Sequence, residues 1–130
     1  MSEEPSEDLI ALATRLFDLA RGGRTEPLVA YLDAGVPANL ANHAGDSLLM
    51  LAAYHGHPAL VRALLERRAD PDRLNDRGQS PLAGAVFKGE DEVVRALLAA
   101  GADPGAGAPS ARATAAMFGR DDLLALMGGD

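Results

Sequence analysis

The chain has no cysteine and no tryptophan, and its aromatic residues come to five, two Tyr and three Phe. Without cysteine there is no disulfide, no thiolate nucleophile and no Cys-ligated zinc, while the redox compartment stays open. Lysine is scarce as well, Lys88 being the one lysine among 12 basic residues that face 19 acidic ones. A formal charge of -7 lacks the cationic footprint that displaces counterions from a phosphate backbone, so nucleic acid is not an expected partner. No apolar run approaches the about 18 to 20 residues that span a bilayer, so no membrane partner is expected either. The opening "MSEEPSED" has neither the basic nor the apolar region of a signal peptide, which makes a cytoplasmic location the expectation. Residues 1–6 of that stretch read as a disordered acidic tail.

What is present is 130 residues, 48% of them hydrophobic and rich in Ala and Leu, enough for one domain of closely packed helices. The chain also repeats itself. Gly45 returns as Gly78, Ser47 as Ser80, Leu49 as Leu82, Ala52 as Ala85, Gly56 as Gly89, Val61 as Val94, Leu64-Leu65 as Leu97-Leu98 and Asp70-Pro71 as Asp103-Pro104, always 33 positions on. The same step backwards lands Leu49, Gly56, Val61 and Leu65 on Leu16, Gly23, Leu28 and Leu32, a degenerate first copy. Forwards the step shortens to 30, pairing Ser80 with Ser110, Ala85 with Ala115, Gly89 with Gly119 and Val94 with Leu124. Three residues are therefore missing between Asp103 and Ser110, in a loop. The copies run over residues 7–41, 42–74, 75–107 and 108–130, together one domain over 7–130.

Each copy predicts two short helices. In the second, Ser47 can cap a helix whose apolar face carries Leu49, Ala52 and Ala53, and Gly56 ends it where a positive φ is required. A second helix starts near Pro58, with Leu60, Val61, Leu64 and Leu65 on one stripe and Arg62, Glu66 and Arg67 toward water. Asp70-Pro71 then turns the chain out. Residues 7–21 predict a longer amphipathic helix that turns Glu7, Asp8, Arg15 and Asp18 to solvent.

The segments "GDSLLMLAAYHGHPALVRALLERRADPD" and "GQSPLAGAVFKGEDEVVRALLAAGADPG" closely resemble the ankyrin repeat, G-x-T-P-L-H-x-A-A-x-x-G-H followed by L-L-x-x-G-A-D. Ser stands for Thr at 47 and 80, Leu48 for the usual Pro, and Met50 and Ala83 for the histidine that ordinarily ties neighbouring repeats. The resemblance implies an all-α solenoid of four helix-turn-helix repeats with capping terminal copies. It also implies hairpin-like loops and a concave face made by those loops and the first helices. One such helix pair cannot bury its own stripe, so stability comes from the interfaces between neighbours.

Function in a solenoid lies where the repeat leaves the residue free. The two positions before each helix-ending glycine are Arg21-Gly22, Tyr54-His55, Phe87-Lys88 and Met117-Phe118, one pair per copy. The ankyrin pattern puts them on the concave face, beside loop tips that here carry His43, Ala44 and Asp46, then Asp76, Arg77 and Gln79. Phe17 and Tyr31 fall at buried or capping positions, and the other three rings, Tyr54, Phe87 and Phe118, all fall in this column. Aromatics, Met and Arg are the usual anchors of protein interfaces, although such rings also pack over one another to shield a helix stack.

His43, His55 and His57 all lie in the second copy, but without Cys or a helical H-x-x-x-H they lack converging metal-ligand spacing, and His57 sits where the family has a structural histidine. His55 is the histidine suited to a partner contact. "GAGAPSA", Gly105 to Ala111, looks faintly like a phosphate-cradling loop, yet no strand feeds it. Asp121-Asp122 and Glu90-Asp91-Glu92 begin second helices, where negative charge complements the dipole and caps. No nucleophile and base can be placed together. The reading is a monomeric, non-enzymatic scaffold without cofactor or metal, binding a protein partner. The acidic total suggests a partner with a basic or mixed patch. Three alternatives stay open: an inhibitor or regulator of an enzyme or toxin, a small metal or hydrolytic enzyme built on the histidines, and a homodimer joined through the aromatic column.

Overall fold

Ser47, Ser80 and Ser110 each open a helix in the same way, their hydroxyls accepting from the backbone N–H of Met50, Ala83 and Ala113 at 3.0, 3.0 and 3.1 Å. Those caps recur because the sequence does. The computed structural model describes residues 7–128, and the expected disordered tail at residues 1–6 lies outside them. The helices in chain order are α1 (Glu7–Arg21), α2 (Thr25–Asp33), α3 (Leu48–Tyr54), α4 (Pro58–Glu66), α5 (Pro81–Lys88), α6 (Asp91–Ala99), α7 (Ala111–Met117) and α8 (Asp121–Leu126). They form four pairs, and corresponding helices of the second and third pairs start 33 residues apart, Leu48 to Pro81 and Pro58 to Asp91. This is the expected all-α solenoid.

The pairs stack in two rows. Among the described residues α1, α3, α5 and α7 pack in succession as an inner row, and α2, α4 and α6 as an outer row. The two central inner helices, α3 and α5, are nearly engulfed: all of Leu48 to Ala53 and all of Pro81 to Val86 are buried. The outer helices bury a single stripe, Leu60, Val61 and Leu64 on α4 and Val93, Val94 and Leu97 on α6, with Leu65 and Leu98 packed at its edge. One apolar cluster runs from Leu16 to Met127. At about 1.5–3 kcal/mol for each fully buried Leu or Val, this shared burial dominates stability, and no pair owns enough of it to stand alone.

Glycines end the helices where required. Gly56 takes φ 76° just past His55, the C-cap of α3, and a Cβ there would run into the Glu90 carboxylate of the next pair. The turn after the outer helices uses Gly35 and Gly101 at φ 115° and 89°, but the second copy places Arg68 there at φ 67°. A side chain in the left-handed region costs about 1–2 kcal/mol.

With Met50 and Ala83 unable to tie the copies, other groups do so. Asn39 Oδ1 accepts from Asp70 N–H at 2.6 Å, and 33 residues on Asp72 Oδ1 accepts from Asp103 N–H at 2.7 Å. His57 takes the expected structural part, its Nε2 donating to the carbonyl of Arg21 at 2.7 Å. Two sequence expectations need correction. Arg67 does not simply face water: its Nε donates to Asp33 Oδ1 of the preceding pair at 2.9 Å. The acids that open α6 and α8 do not act as caps, because Glu90 and Arg120 hold the N-cap positions without a side-chain cap bond. Asp91 and Asp122 instead accept from Arg120 Nη2 at 2.8 and 2.9 Å, a bridge between the last two pairs.

Candidate protein-binding face

Between consecutive pairs the chain leaves the stack as a hairpin, and an asparagine holds each of the two full-length tips. Asn42 Oδ1 accepts from the N–H groups of Ala44 and Asp46, and Asn75 Oδ1 from those of Arg77 and Gln79, all at 3.0 Å. Asn75 is itself buried, and its Nδ2 donates to Asp46 Oδ1 and to Gln79 Oε1, both at 2.8 Å. The backbone joins in through Asp76 N–H, which donates to Ala44 O at 3.0 Å. The tips are thus locked to each other. These two asparagines, 33 residues apart, are organising residues that the motif comparison passed over.

The tip residues have distinct surroundings. His43, Asp76 and Arg77 are exposed, Asp46 and Gln79 half-buried. Asp76 leans over Gly45 of the previous tip. The shortened fourth loop forms its own contact, Ala108 N–H donating to Gly78 O at 3.0 Å, so the three-residue loss shifts the pairing rather than abolishing it.

The column at the ends of the inner helices is open to solvent. Phe87 is 59% exposed, Met117 71% and Phe118 49%, while Tyr54 is half-buried and His55, Lys88 and Arg21 are exposed. Arg21 pairs with Asp18 at 3.0 Å. The three rings do not form one stack. Phe87 and Phe118 meet with centroids 5.8 Å apart at 58°, whereas Tyr54 meets His55 edge-on at 5.4 Å and carries Lys88 Nζ 5.0 Å above its centroid. With their contact in place Phe87 and Phe118 still expose about half or more of their surface. By contrast Phe17 is buried in the core, and Tyr31 is half-buried with its hydroxyl accepting from Arg15 Nε at 3.3 Å.

Two clefts open between this column and the tips. One of about 120 Å³ has Tyr54 and Phe87 as walls, Gly84 beneath, and Pro109 and Thr114 at its far end. The other, about 370 Å³, lies between Tyr54, His55 and Met50 on one side and Asp46, Arg77 and Gln79 on the other. Tyr54, Phe87 and Gln79 border both. Gly84 explains the first: it sits where the second copy has Leu51, and a Cβ there would meet Met50 Cε at 3.1 Å and Tyr54 Cδ1 at 3.4 Å. A glycine inside a helix costs about 1 kcal/mol against alanine, and that anomaly was the sequence signal for a notch.

The His55 imidazole is held below the ordinary histidine pKa, first by desolvation and then by the positive charges of His57, Lys88 and Arg21. The three histidines do not converge. His43 sits at a tip, His55 at a helix end, and His57 is turned into the Arg21 carbonyl. Among the described residues no three His, Asp or Glu side chains are grouped as a metal shell, and no helix is long and apolar enough to cross a membrane. The "GAGAPSA" loop enters α7 from a turn that leaves an outer helix.

This geometry, inner-row helices and asparagine-locked hairpins on a 33-residue period, meets its match in known proteins. A family model described as ankyrin repeats, three copies, matches residues 16–108. The chain belongs to the ankyrin repeat family. Ankyrin repeats are protein–protein interaction modules, so the open column and clefts sit on a chain of that class. The fourth helix pair of this ankyrin domain, α7 and α8, lies beyond the matched residues. A Pseudomonas aeruginosa protein named as an ankyrin repeat protein is 60% identical over 48 residues, which make up 37% of this chain and 28% of that protein. The match spans little more than a quarter of that relative's length.

Proposed function

We propose that this chain is a non-enzymatic scaffold that binds one protein partner through its concave face and loop tips. The observation that carries the reading is the exposure of Phe87, Met117 and Phe118 at the ends of successive inner helices. Phe87 stands on α5, whose residues Pro81 to Val86 are all buried, and Met117 and Phe118 stand at the end of the neighbouring α7. Contiguous exposed apolar patches on a soluble fold mark interaction sites. The tips add polar and charged groups, Asp46, Asp76, Arg77 and Gln79, on hairpins already fixed by Asn42 and Asn75. A preformed surface of this kind avoids much of the ordering cost of binding. Regulation of an enzyme would be one consequence of occupying the same surface and needs no other site.

The test is capture of partners from the source cell by the intact protein and by a Tyr54→Ala/Phe87→Ala variant shown by urea unfolding to be folded. Loss of the captured protein with the variant is the expected result, and undiminished capture would remove the concave face from the reading.

A further inference from the structure

One helix glycine departs from its own repeat. Gly84 lies inside α5 at the position that Leu51 holds in the second copy and Thr114 in the fourth, both of them buried. Glycine is the poorest helix former after proline, so α5 carries a stability cost that the neighbouring inner helices do not. What that cost leaves is space: the cleft of about 120 Å³ with Gly84 as its floor and the rings of Tyr54 and Phe87 as its walls. Its volume falls a little short of the roughly 150 Å³ cavity that accepts benzene, which is room for one aliphatic side chain.

The lining of this notch is neutral. No charged residue borders it, and two of its polar side chains are already engaged: the Thr114 hydroxyl donates to Ser110 O at 2.8 Å, and Gln79 Oε1 accepts from Asn75 Nδ2 at 2.8 Å. An ionised group entering it would lose hydration and find no counter-charge. The charges farther out favour neither sign. Asp46 stands across the larger cleft from Arg77, and among the described residues Asp76 and Glu90 are as free of ion pairs as Arg77 and Lys88. The surroundings of the notch decide between a small molecule and a protein segment. Phe87, one of its walls, is 59% exposed and meets Phe118, itself 49% exposed, so a molecule that merely filled the notch would leave this apolar surface in water. A chain segment with one side chain in the notch and its backbone across the two rings covers both.

We infer that Gly84 is a specificity-determining residue, admitting one uncharged aliphatic side chain of a protein partner, of leucine or methionine size, between Tyr54 and Phe87. This rests on the protein-binding reading and names the partner's anchor. Burying the anchor supplies most of the affinity, and the sign of charge around it is not selected.

The test pans a displayed library of random twelve-residue peptides against the intact chain and against Gly84→Ala, then measures enriched peptides by fluorescence anisotropy. Gly84→Ala keeps the fold, because alanine is the better helix former and the atom its Cβ meets at 3.1 Å is Met50 Cε, the far end of a flexible side chain. Peptides enriched on the intact chain should share one Leu, Ile or Met and no common sign of charge. They should lose about tenfold or more in affinity when that residue is replaced by Ala or Asp, and on Phe87→Ala. Added salt should change their affinity by less than about twofold. On Gly84→Ala the shared residue should shrink to Val or Ala, a switch in size that a merely structural glycine would not produce. The same anchor at the same affinity on Gly84→Ala would overturn the inference, as would a shared charged residue in place of the aliphatic one. Either result combined with dependence on Phe87 leaves the concave face standing, whereas peptides indifferent to Tyr54→Ala/Phe87→Ala would overturn both readings. Failure to enrich any peptide also overturns the inference, while the capture experiment with the whole partner judges the broader reading separately. Self-association in light scattering that Phe87→Ala abolishes would give the notch to a second copy and overturn the inference too.

Discussion

On the outer row Arg67 reaches back to Asp33 at 2.9 Å, and Arg120 binds both Asp91 and Asp122. On the inner face Arg77 and Lys88 reach no carboxylate among the described residues, and Phe87, Phe118 and Met117 stand in water. Both sides are built from the same 33-residue unit, so the difference is not dictated by the fold. The outer side uses some of its charges to join neighbouring pairs, although Arg62 on α4 and Arg95 on α6 also reach no carboxylate among the described residues. The inner side uses its buried positions for that purpose, and at its helix ends Phe87, Met117 and Phe118 keep about half or more of their surface exposed. On the proposed reading, such exposed apolar surface beside tightly packed helices marks a binding face.

The comparison breaks most sharply on the inner helix α5, which contains both kinds of residue. Leu82 is wholly buried and Phe87 is 59% exposed, five residues apart on one helix. Leu82→Ala should cost about 3 kcal/mol of unfolding free energy. Phe87→Ala should change it by less than about 0.5 kcal/mol while abolishing partner binding. Urea unfolding of both variants decides this. A large stability loss at Phe87 would make the ring part of the scaffold and erase the distinction between the two sides.

A smaller effect is expected at Arg68, on the turn after α4. Gly35 and Gly101 make the corresponding turns in the left-handed region without a side chain, whereas Arg68 makes it at φ 67° with one. Arg68→Gly should raise stability by about 1 kcal/mol, the relief of left-handed strain less the extra freedom glycine gives the unfolded chain. Because Arg68 lies on the outer-helix side, affinity for a concave-face ligand should not change. A gain in stability that came with a change in binding would show that the two sides are not separable.

The fold was legible in the sequence because the repeat states each helix at least twice. Ser47, Ser80 and Ser110 cap, Gly56 and Gly89 terminate, and Leu60, Val61 and Leu64 return as Val93, Val94 and Leu97, so each assignment is checked by its neighbour. The column Tyr54, Phe87 and Phe118 was also visible, since aromatics are so few and the alignment puts them at inner-helix ends. What escaped was long-range pairing. Arg67 reads as a solvated residue on its own helix, and Asp33 is 34 positions away. Asn42 and Asn75 read as ordinary loop residues, and only the folded hairpin brings four N–H groups to their side-chain oxygens. Gly84 carried a signal, an interior glycine on a strong helix, but the cleft above it needs Tyr54 from the preceding pair and Pro109 from the following loop.

The smallest expected effect separates the two sides by pH. His55 on the inner face has its pKa lowered by desolvation and by the nearby positive charges, so the folded state binds this proton less readily than the unfolded chain does. A lowered histidine pKa contributes nothing above its unfolded value of about 6.5, and stability falls as pH drops through that value. On the outer side Asp33 and Asp122 are lowered chiefly by hydrogen bonds from Arg67 and Arg120. Their contribution is present above the unfolded carboxyl value of about 3.9 and is lost only as pH falls through their still lower folded values. Acidification should therefore weaken the protein in two steps, a slight one below about pH 6.5 that disappears in His55→Asn, and a later one below about pH 3.9 that His55→Asn leaves in place. Denaturant midpoints taken across pH 3 to 8 would show both. If the first step survives His55→Asn, a group other than His55 gives rise to it, and the desolvation of His55 at the helix end does not reach stability.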